Sequence, residues 1–421
     1  MTAPQPYRLV ELDRTDWAES TALVHWAFPT AVDEAEAVAQ PDIMPWPDVF
    51  GYRAADGQLA AQCASRHLAE LAVPGGSLAA AGLTWVSVHP AHRRRGLLTA
   101  MIGQHFDRCQ SQGLAVSVLV ASEPTIYGRF GYGLASDQIG LTIPRRAPLR
   151  APADDSLDVR VETADPARHG AVVDRLHRAA GTVAGQRRPG WVTRDQIEAS
   201  TEILLDPPGE RFGGEPLRIM LLERSGEPVA YALFARGSDC WTAERFRVTV
   251  RVREHAAVDP AATATLWHRL LDLDLTDAVS VDHLAVDDAL LSLLTDVDAA
   301  QPRRRNQLWA RLISLPTALA ARRYATAVDV VIDVADWRRP TNLGRWRLQA
   351  AAFSDDVTVT RTEEPPDLVL DADHLGALYF GGRSLLQMAA AGLVDVVRPD
   401  RLAETSAAFS WPLAPGCSWM F

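Results

Sequence analysis

Arg93, Arg94 and Arg95, followed at once by Gly96, are the residues of this chain best suited to hold a multiply charged anion. They follow an apolar run, Trp85-Val86-Ser87-Val88, that stops at His89-Pro90. They precede a stretch in which Leu97, Leu98, Met101, Ile102, Phe106 and Cys109 recur at helical spacing, up to Gly113 where a helix would end. A strand that turns through glycine into a helix leaves several backbone N–H groups converging where the helix dipole is positive, which is how a phosphate cradle is built. A second group of interest is Ser122-Glu123-Pro124-Thr125-Ile126-Tyr127-Gly128-Arg129-Phe130-Gly131-Tyr132-Gly133, where glycines let the backbone turn closely around a ligand. A positioned phenol can donate a proton to a leaving group; Tyr127 is the first choice for that role and Tyr132 the second.

The elements that must position these groups are legible around them. Leu114 to Ala121 reads as a fully buried strand, so strand, basic turn, helix and strand form a βαβ unit with its anion site at the helix start. Arg93 to Leu98 resembles the pyrophosphate loop of the GNAT N-acetyltransferases: Gln or Arg, two residues, Gly, one residue, Gly or Ala, with Leu98 departing from the last place. The ligand so implied is acetyl-coenzyme A. In that fold the strand carrying Val86 and Val88 splays from its neighbour, and an amide-like pantetheine arm pairs with the exposed backbone as an added strand would. The phenol would then protonate the departing coenzyme sulfur.

At 421 residues, two or three domains are expected. A charged fraction of 23% with 48% hydrophobic residues places the chain among soluble globular proteins. The formal charge of −11 argues against a general nucleic-acid binder and suits cationic, amine-bearing substrates. Neither a secretory signal nor an apolar run long enough to cross a bilayer is legible, and Cys63, Cys109, Cys240 and Cys417 form no Cys-x-x-Cys, so a cytosolic protein without a metal site is expected.

Residues 1–145 read as one α/β domain: a strand at Tyr7 to Leu12, a helix at Trp17 to Phe28, a polar helical segment around Asp33 to Glu36, then strands leading into the central unit. Trp17, Trp26 and Phe28 are candidate walls of an acceptor pocket, set against ordinary core packing. Pro144 to Pro152 with Asp154-Asp155-Ser156 reads as a linker. Residues 153–305 repeat the strand and helix order, with helices at His169 to Ala180, Arg194 to Leu205 and Pro260 to Leu273, but no second Arg-rich turn opens a helix there. This middle domain is therefore expected to be a structural, degenerate GNAT-like unit. Residues 306–421 give a short sheet closed by helices, in an order that resembles the sterol-carrier-protein-like fold. The fold class is α/β (α+β): two GNAT-like domains and a sterol-carrier-like domain.

Arg93-Arg94-Arg95-Gly96-Leu97-Leu98, Ile126 to Gly133 and the terminal Phe421 together resemble the enhanced-intracellular-survival (Eis) family of acetyltransferases, and Asn306 to Tyr324 and Leu368 to Arg383 extend the resemblance through most of the chain. The resemblance implies an acetyl-CoA-dependent N-acetyltransferase that assembles as a hexamer. It places the acyl donor at Val86, Ser87, Val88, Arg94, Arg95, Gly96, Leu97, Leu98, Thr99, Ser122 and Glu123, makes Tyr127 the proton donor, and makes the α-carboxylate of Phe421 the base. A free α-carboxyl, with a pKa of about 3.3–3.7, is a poor proton acceptor. Enclosure among Trp419, Met420 and Phe421 is expected to raise it by desolvation, and proximity adds to its efficiency. Six of the last eleven residues are Trp, Leu, Cys, Met or Phe, and Pro412 and Pro415 stiffen the segment, which speaks against a solvated tail. Met420 before the terminal residue, and Thr30 and Asp33 after Phe28, point to a pocket less acidic than in aminoglycoside-modifying relatives.

Three other readings compete. A covalent acetyl intermediate on Cys63 or Cys109 lacks a base partner in the sequence. A hydrophobic-ligand or lipid carrier predicts an apolar pocket within residues 316–421 open to solvent, whereas the enzyme predicts that the tail leaves that domain and enters the first. Nucleic-acid binding through Arg93 to Arg95 and Arg303 to Arg305 is opposed by the overall charge.

Overall fold

The computed structural model describes residues 6–28, 34–38, 40–194, 202–211, 213–241 and 246–421, with side chains described for all of these except 238–241 and 246. Three sheets organise the chain. The first takes β1 (Arg8–Glu11), β2 (Val49–Arg53), β3 (Leu59–Val73), β4 (Gly76–Val88), β5 (Val116–Val120) and β6 (Gly133–Leu134). The second takes β7 (Asp137–Pro144), β8 (Asp158–Thr163), β11 (Arg218–Arg224), β12 (Glu227–Trp241), β13 (Phe246–Ala257), β14 (Ala278–Ala285) and β15 (Arg303–Asn306); β9 (Thr182–Val183) and β10 (Gln186–Arg187) form a separate small hairpin. The third takes β17 (Val328–Ala335), β18 (Gly344–Ala350), β19 (Val357–Arg361), β20 (Leu368–Asp371) and β21 (Asp395–Val396).

One strand departs from the expected division in each of the first two sheets. β16 (Leu308–Leu312), assigned by sequence to the third domain, lies in the first sheet between β5 and β6. β7, assigned to residues 1–145, pairs with β14 and β15 in the second. The physical reason is edge protection: β5 would otherwise present an open edge beside Tyr127, and Leu308, Ala310 and Leu312, all buried, complete that face. The segment read as a linker is tied down, with the Arg145 N–H donating to the Asp277 carbonyl and Leu149 bridging to Leu294.

Helix α1 (Trp17–Ala27), the short α2 (Glu34–Val38) and α3 (Leu97–Ser111) accompany the first sheet; α4 (Pro166–Ala180) accompanies the second. α3 ends as its sequence requires. Gly113 adopts φ +72°, the Leu114 N–H reaches the Cys109 carbonyl at 2.8 Å and the Gly113 N–H reaches that of Gln110 at 3.1 Å, a Schellman termination. On the buried face of α3, His105 Nε2 and Ser117 Oγ lie 2.8 Å apart, and Ser117 Oγ lies 2.8 Å from the Tyr132 hydroxyl.

Burial pushes His105 down to about 3 and His177 down to about 4. Both rings are neutral in the folded protein, whereas an unfolded histidine titrates at about 6.5. Their contribution to stability is therefore complete above pH 6.5 and lost as pH falls from there through 4 and 3. Thermal midpoints are expected to drop steadily across that window, and His177→Gln is expected to make the decline shallower between pH 6.5 and 4.

In the third unit Arg322, 1% exposed, sits between the rings of Tyr324 and Phe409, its carbon CZ 4.7 and 5.1 Å from their centroids. Its guanidinium donates to the carbonyls of Leu378, Tyr379 and Phe409. The interior is thus packed with rings around a carbonyl-bound cation. Among the described residues no helix is long and apolar enough to cross a membrane.

Candidate active site

β4 creates the donor site by failing to stay regular. It pairs with β5 only at Ala81–Ser117 and Gly82–Val118, and beyond Gly82 the two strands part. Opposite Cys63 of β3 stand two residues, Trp85 and Val86, with Trp85 at φ +53°, a bulge that bends the strand end away. Val86, Val88, Leu98, Ala121, Ile126 and Tyr127 pack on one cluster, so the residues expected at the acyl donor are brought together.

The basic turn that follows matches the expected cradle. Arg94 and Gly96 adopt left-handed φ of +60° and +81°, and α3 starts at Leu97. The N–H groups of Arg94, Gly96, Leu97, Leu98 and Thr99 find no backbone acceptor among the described residues. Arg93, Arg94 and Arg95 are exposed beside them without an ion-pair partner among the described residues. Five unpaired backbone donors, a helix start and three guanidiniums together have the chemistry of an anion cradle. Ser122 and Glu123 are exposed at the other lip of the gap.

The two tyrosines differ in environment. The Tyr132 hydroxyl is fully buried, 2.8 Å from Ser117 Oγ and away from the gap surface. Tyr127 is partly exposed and edge-on to Tyr132, with centroids 6.0 Å apart. Burial, then the neighbouring Cys63 and Glu123, push the Tyr127 phenol up to about 12. It is a protonated acid at neutral pH. Burial pushes the Cys63 thiol well up and takes Cys109 and Cys417 to about 12, which removes the thiolate that a covalent route through Cys63 or Cys109 needs.

The tail leaves the third unit and crosses the second. Arg188 donates to the Ala414 carbonyl at 2.7 Å, and the Gly416 N–H donates to Pro189. Gln307 clamps Cys417 at both ends, accepting its N–H at 2.9 Å and donating to its carbonyl at 2.8 Å. Ser418 Oγ accepts the Val192 N–H and donates to the Val192 carbonyl, both at 3.0 Å. The last residue then reaches the first sheet: a Cβ built on Gly82 would lie 2.7 Å from the Phe421 ring. Phe421 is therefore seated on the last paired residue before β4 and β5 separate. Gly82→Val is expected to keep the fold, since valine suits a strand, and to lower turnover at least about tenfold by displacing the ring, with acetyl-CoA KM unchanged.

Between the first and second units and the tail lies a cavity of about 640 Å³. Trp17, Phe28 and Trp85 line it as expected or nearby, and Trp419 and Met420 join them. Trp26 does not: it is 63% exposed, its ring 5.4 Å from that of His89, because α1 turns its other face inward. Thr30 and Asp33 lie outside the described residues. The middle unit is more than structural. His177, Trp191, Arg253, Glu254 and His255 form much of the wall. Sequence reasoning missed them because none belongs to a motif: His177 stands on α4, Trp191 in a loop, and Arg253, Glu254 and His255 on β13, where a run of polar residues inside an otherwise apolar strand is the one signal.

A β-bulged strand, a splayed neighbour and an anion cradle at a helix start define an acyltransferase of the GNAT class. Models of the GNAT acetyltransferase domain match residues 8–135 and 190–312, and a sterol carrier protein domain model matches 315–418. The chain is 40% identical over 367 residues to an uncharacterised N-acetyltransferase of Streptomyces avermitilis, covering 86% of each chain. It is 33% identical over 353 residues to N-acetyltransferase Eis of Mycobacterium bovis, covering 81% of this chain and 80% of that one. The crystal structure of Eis1 from Mycobacterium abscessus superposes with a TM-score of 0.80 at 27% identity, over 99% of this chain and 100% of that chain. The chain belongs to the Eis family of N-acetyltransferases.

Proposed function

We propose that this enzyme transfers acetyl from acetyl-CoA to a primary amine by direct attack, with Tyr127 as acid and the α-carboxylate of Phe421 as base. The cradle of residues 94–99 takes the pyrophosphate, and the backbone of Val86, Ser87 and Val88 pairs with the pantetheine arm, leading the thioester into the gap. The carboxylate removes one proton from the acceptor ammonium. The freed nitrogen lone pair adds to the thioester carbonyl, the C–N bond forms, and collapse of the tetrahedral adduct breaks the C–S bond. Tyr127 protonates the departing sulfur and is re-protonated from solvent; the carboxylate, having passed the first proton to solvent, takes the second nitrogen proton and releases it in turn. The products are the acetamide, coenzyme A with its thiol, and one proton.

The observation that supports this most is the Phe421 ring packed against Gly82, at the mouth of the gap between β4 and β5. Tyr127→Phe tests it: kcat is expected to fall about 10²-fold with acetyl-CoA KM unchanged, and an unaltered kcat removes the acid from the scheme. The family resemblance brings aminoglycosides, polyamines and lysine side chains into the acceptor panel. It also leads us to propose a hexamer, to be tested by light scattering, in the cytosol, where Cys63, Cys109 and Cys417 stay as free thiols. The lipid-carrier alternative finds no comparable support, because the rings of Tyr324, Tyr379 and Phe409 with Arg322 fill the interior of the third unit.

A further inference from the structure

The cavity beside Phe421 is walled differently from a polycation site. Four carboxylates line it among the described residues: Glu202, Glu210, Glu254 and Asp288. Two already have guanidiniums: Glu202 pairs with Arg66 at 3.1 Å, and Glu254 pairs with Arg194 and accepts from Tyr231. Asp288 is drawn into a helix cap, accepting the Leu290 N–H at 2.9 Å. Glu210 is left, and it stands exposed to solvent. Two further cations, Arg188 and Arg253, reach the same space, but each is engaged: Arg188 pairs with Asp287, and Arg253 lies 3.7 Å from Asp206 and donates to the Ile203 and Leu205 carbonyls. Each of the four guanidiniums, two behind the wall and two in it, thus already has a carboxylate partner. Among aliphatic residues and four histidines, five large aromatic rings reach the cavity, those of Trp17, Phe28, Trp85, Trp191 and Trp419, with Trp17 and Trp85 6.3 Å apart between centroids.

Such a wall has little to offer a second or third ammonium and much to offer a flat apolar body. We propose that the acceptor is a monoamine carried on an aromatic or similarly flat apolar scaffold, of the arylalkylamine class, whose ring lies among these indoles and whose single amine meets the tail. The proposal rests on the transfer reading above and narrows its acceptor. The ammonium needs one carboxylate, and the tail supplies it. The ring replaces water against tryptophan, a gain no aliphatic amine of the same length can make. A polyamine or aminoglycoside would bring its extra ammoniums to carboxylates that are mostly engaged already, by Arg66, Arg194 and a helix cap.

Initial rates with acetyl-CoA and tryptamine, n-butylamine, spermidine and kanamycin test this on the full chain. The specificity constant for tryptamine is expected to exceed that of each of the others at least about tenfold, the range that apolar contacts in a pocket supply. Trp17→Ala is expected to bring the tryptamine to butylamine ratio close to one, and Trp17→Phe to keep most of it. Spermidine or kanamycin turned over as well as tryptamine, or tryptamine no better than butylamine, overturns the proposal and leaves the transfer reading standing. If no amine is acetylated, calorimetric titration with coenzyme A present separates the two: saturable tryptamine binding stronger than that of spermidine supports the pocket class while the transfer reading fails, and no such binding overturns the pocket class as well.

Discussion

Extension of the chain by one glycine after Phe421 is expected to lower kcat by about 10²- to 10⁴-fold, the usual contribution of a general base. The expectation follows from how the tail is held. Gln307 fixes both backbone groups of Cys417, and Ser418 is fixed to Val192. Only Trp419, Met420 and Phe421 lie beyond those points, with Trp419 5% exposed under the Arg66 guanidinium. An added residue turns the Phe421 carboxylate into an amide and moves the charge by up to about 3.5 Å. Neither change touches the cradle of residues 94–99, so acetyl-CoA KM should stay within about twofold. Chain extension leaves every buried side chain in place, so a thermal midpoint near that of the parent separates loss of the base from loss of the fold. A kcat within about threefold of the parent would mean that the proton goes elsewhere.

Asp336→Ala is expected to cost about 3–5 kcal/mol of stability, because it leaves a buried guanidinium unpaired. Arg311, on β16, is 0% exposed, and its Nη2 donates to both oxygens of Asp336 at 2.7 Å; Asp336 also accepts the Arg339 N–H and an Asn342 amide N–H. The pair joins the first sheet to the end of β17 in the third unit. It also underlies the loop that carries Tyr127, the proposed acid, since a Cβ on Gly131 would lie 2.7 Å from Arg311 Nη1. Activity is therefore expected to fall along with stability, as the loop that presents Tyr127 loses its floor. Urea unfolding monitored through tryptophan fluorescence checks the first expectation; a loss below about 1 kcal/mol would show that Arg311 finds another partner. Asp336→Asn keeps the acceptor oxygen and should lie between the two.

Much of the donor side was legible because it is local. Residues 85–113 lie next to one another in sequence, and strand, glycine turn, helix and Schellman glycine each leave a residue pattern that survives without knowledge of the rest. The preference for Tyr127 over Tyr132 rests on local composition, whereas the contact of Tyr132 with Ser117 is set by the buried face of β5. The acceptor side was less legible because it is made by contacts far apart in the chain. Trp191 and Cys417, or Trp85 and His255, share a wall only after the sheets have packed. The strand exchange that puts β16 beside β5 and β7 beside β14 likewise depends on which edge needs covering, and periodicity within either strand says nothing of that. Trp26 shows the same limit, since helical spacing places it one step from Phe28 but not on which side of α1 the cavity lies.

A crystal structure of the enzyme with coenzyme A bound tests the central claim most directly. The account predicts the pyrophosphate on the N–H groups of residues 94–99, the sulfur within about 3–3.5 Å of the Tyr127 hydroxyl, and the Phe421 carboxylate facing the same atom from the side of Gly82. A coenzyme sulfur lodged away from Tyr127, or a terminal carboxylate turned from it with the tail still clamped by Gln307, would contradict it.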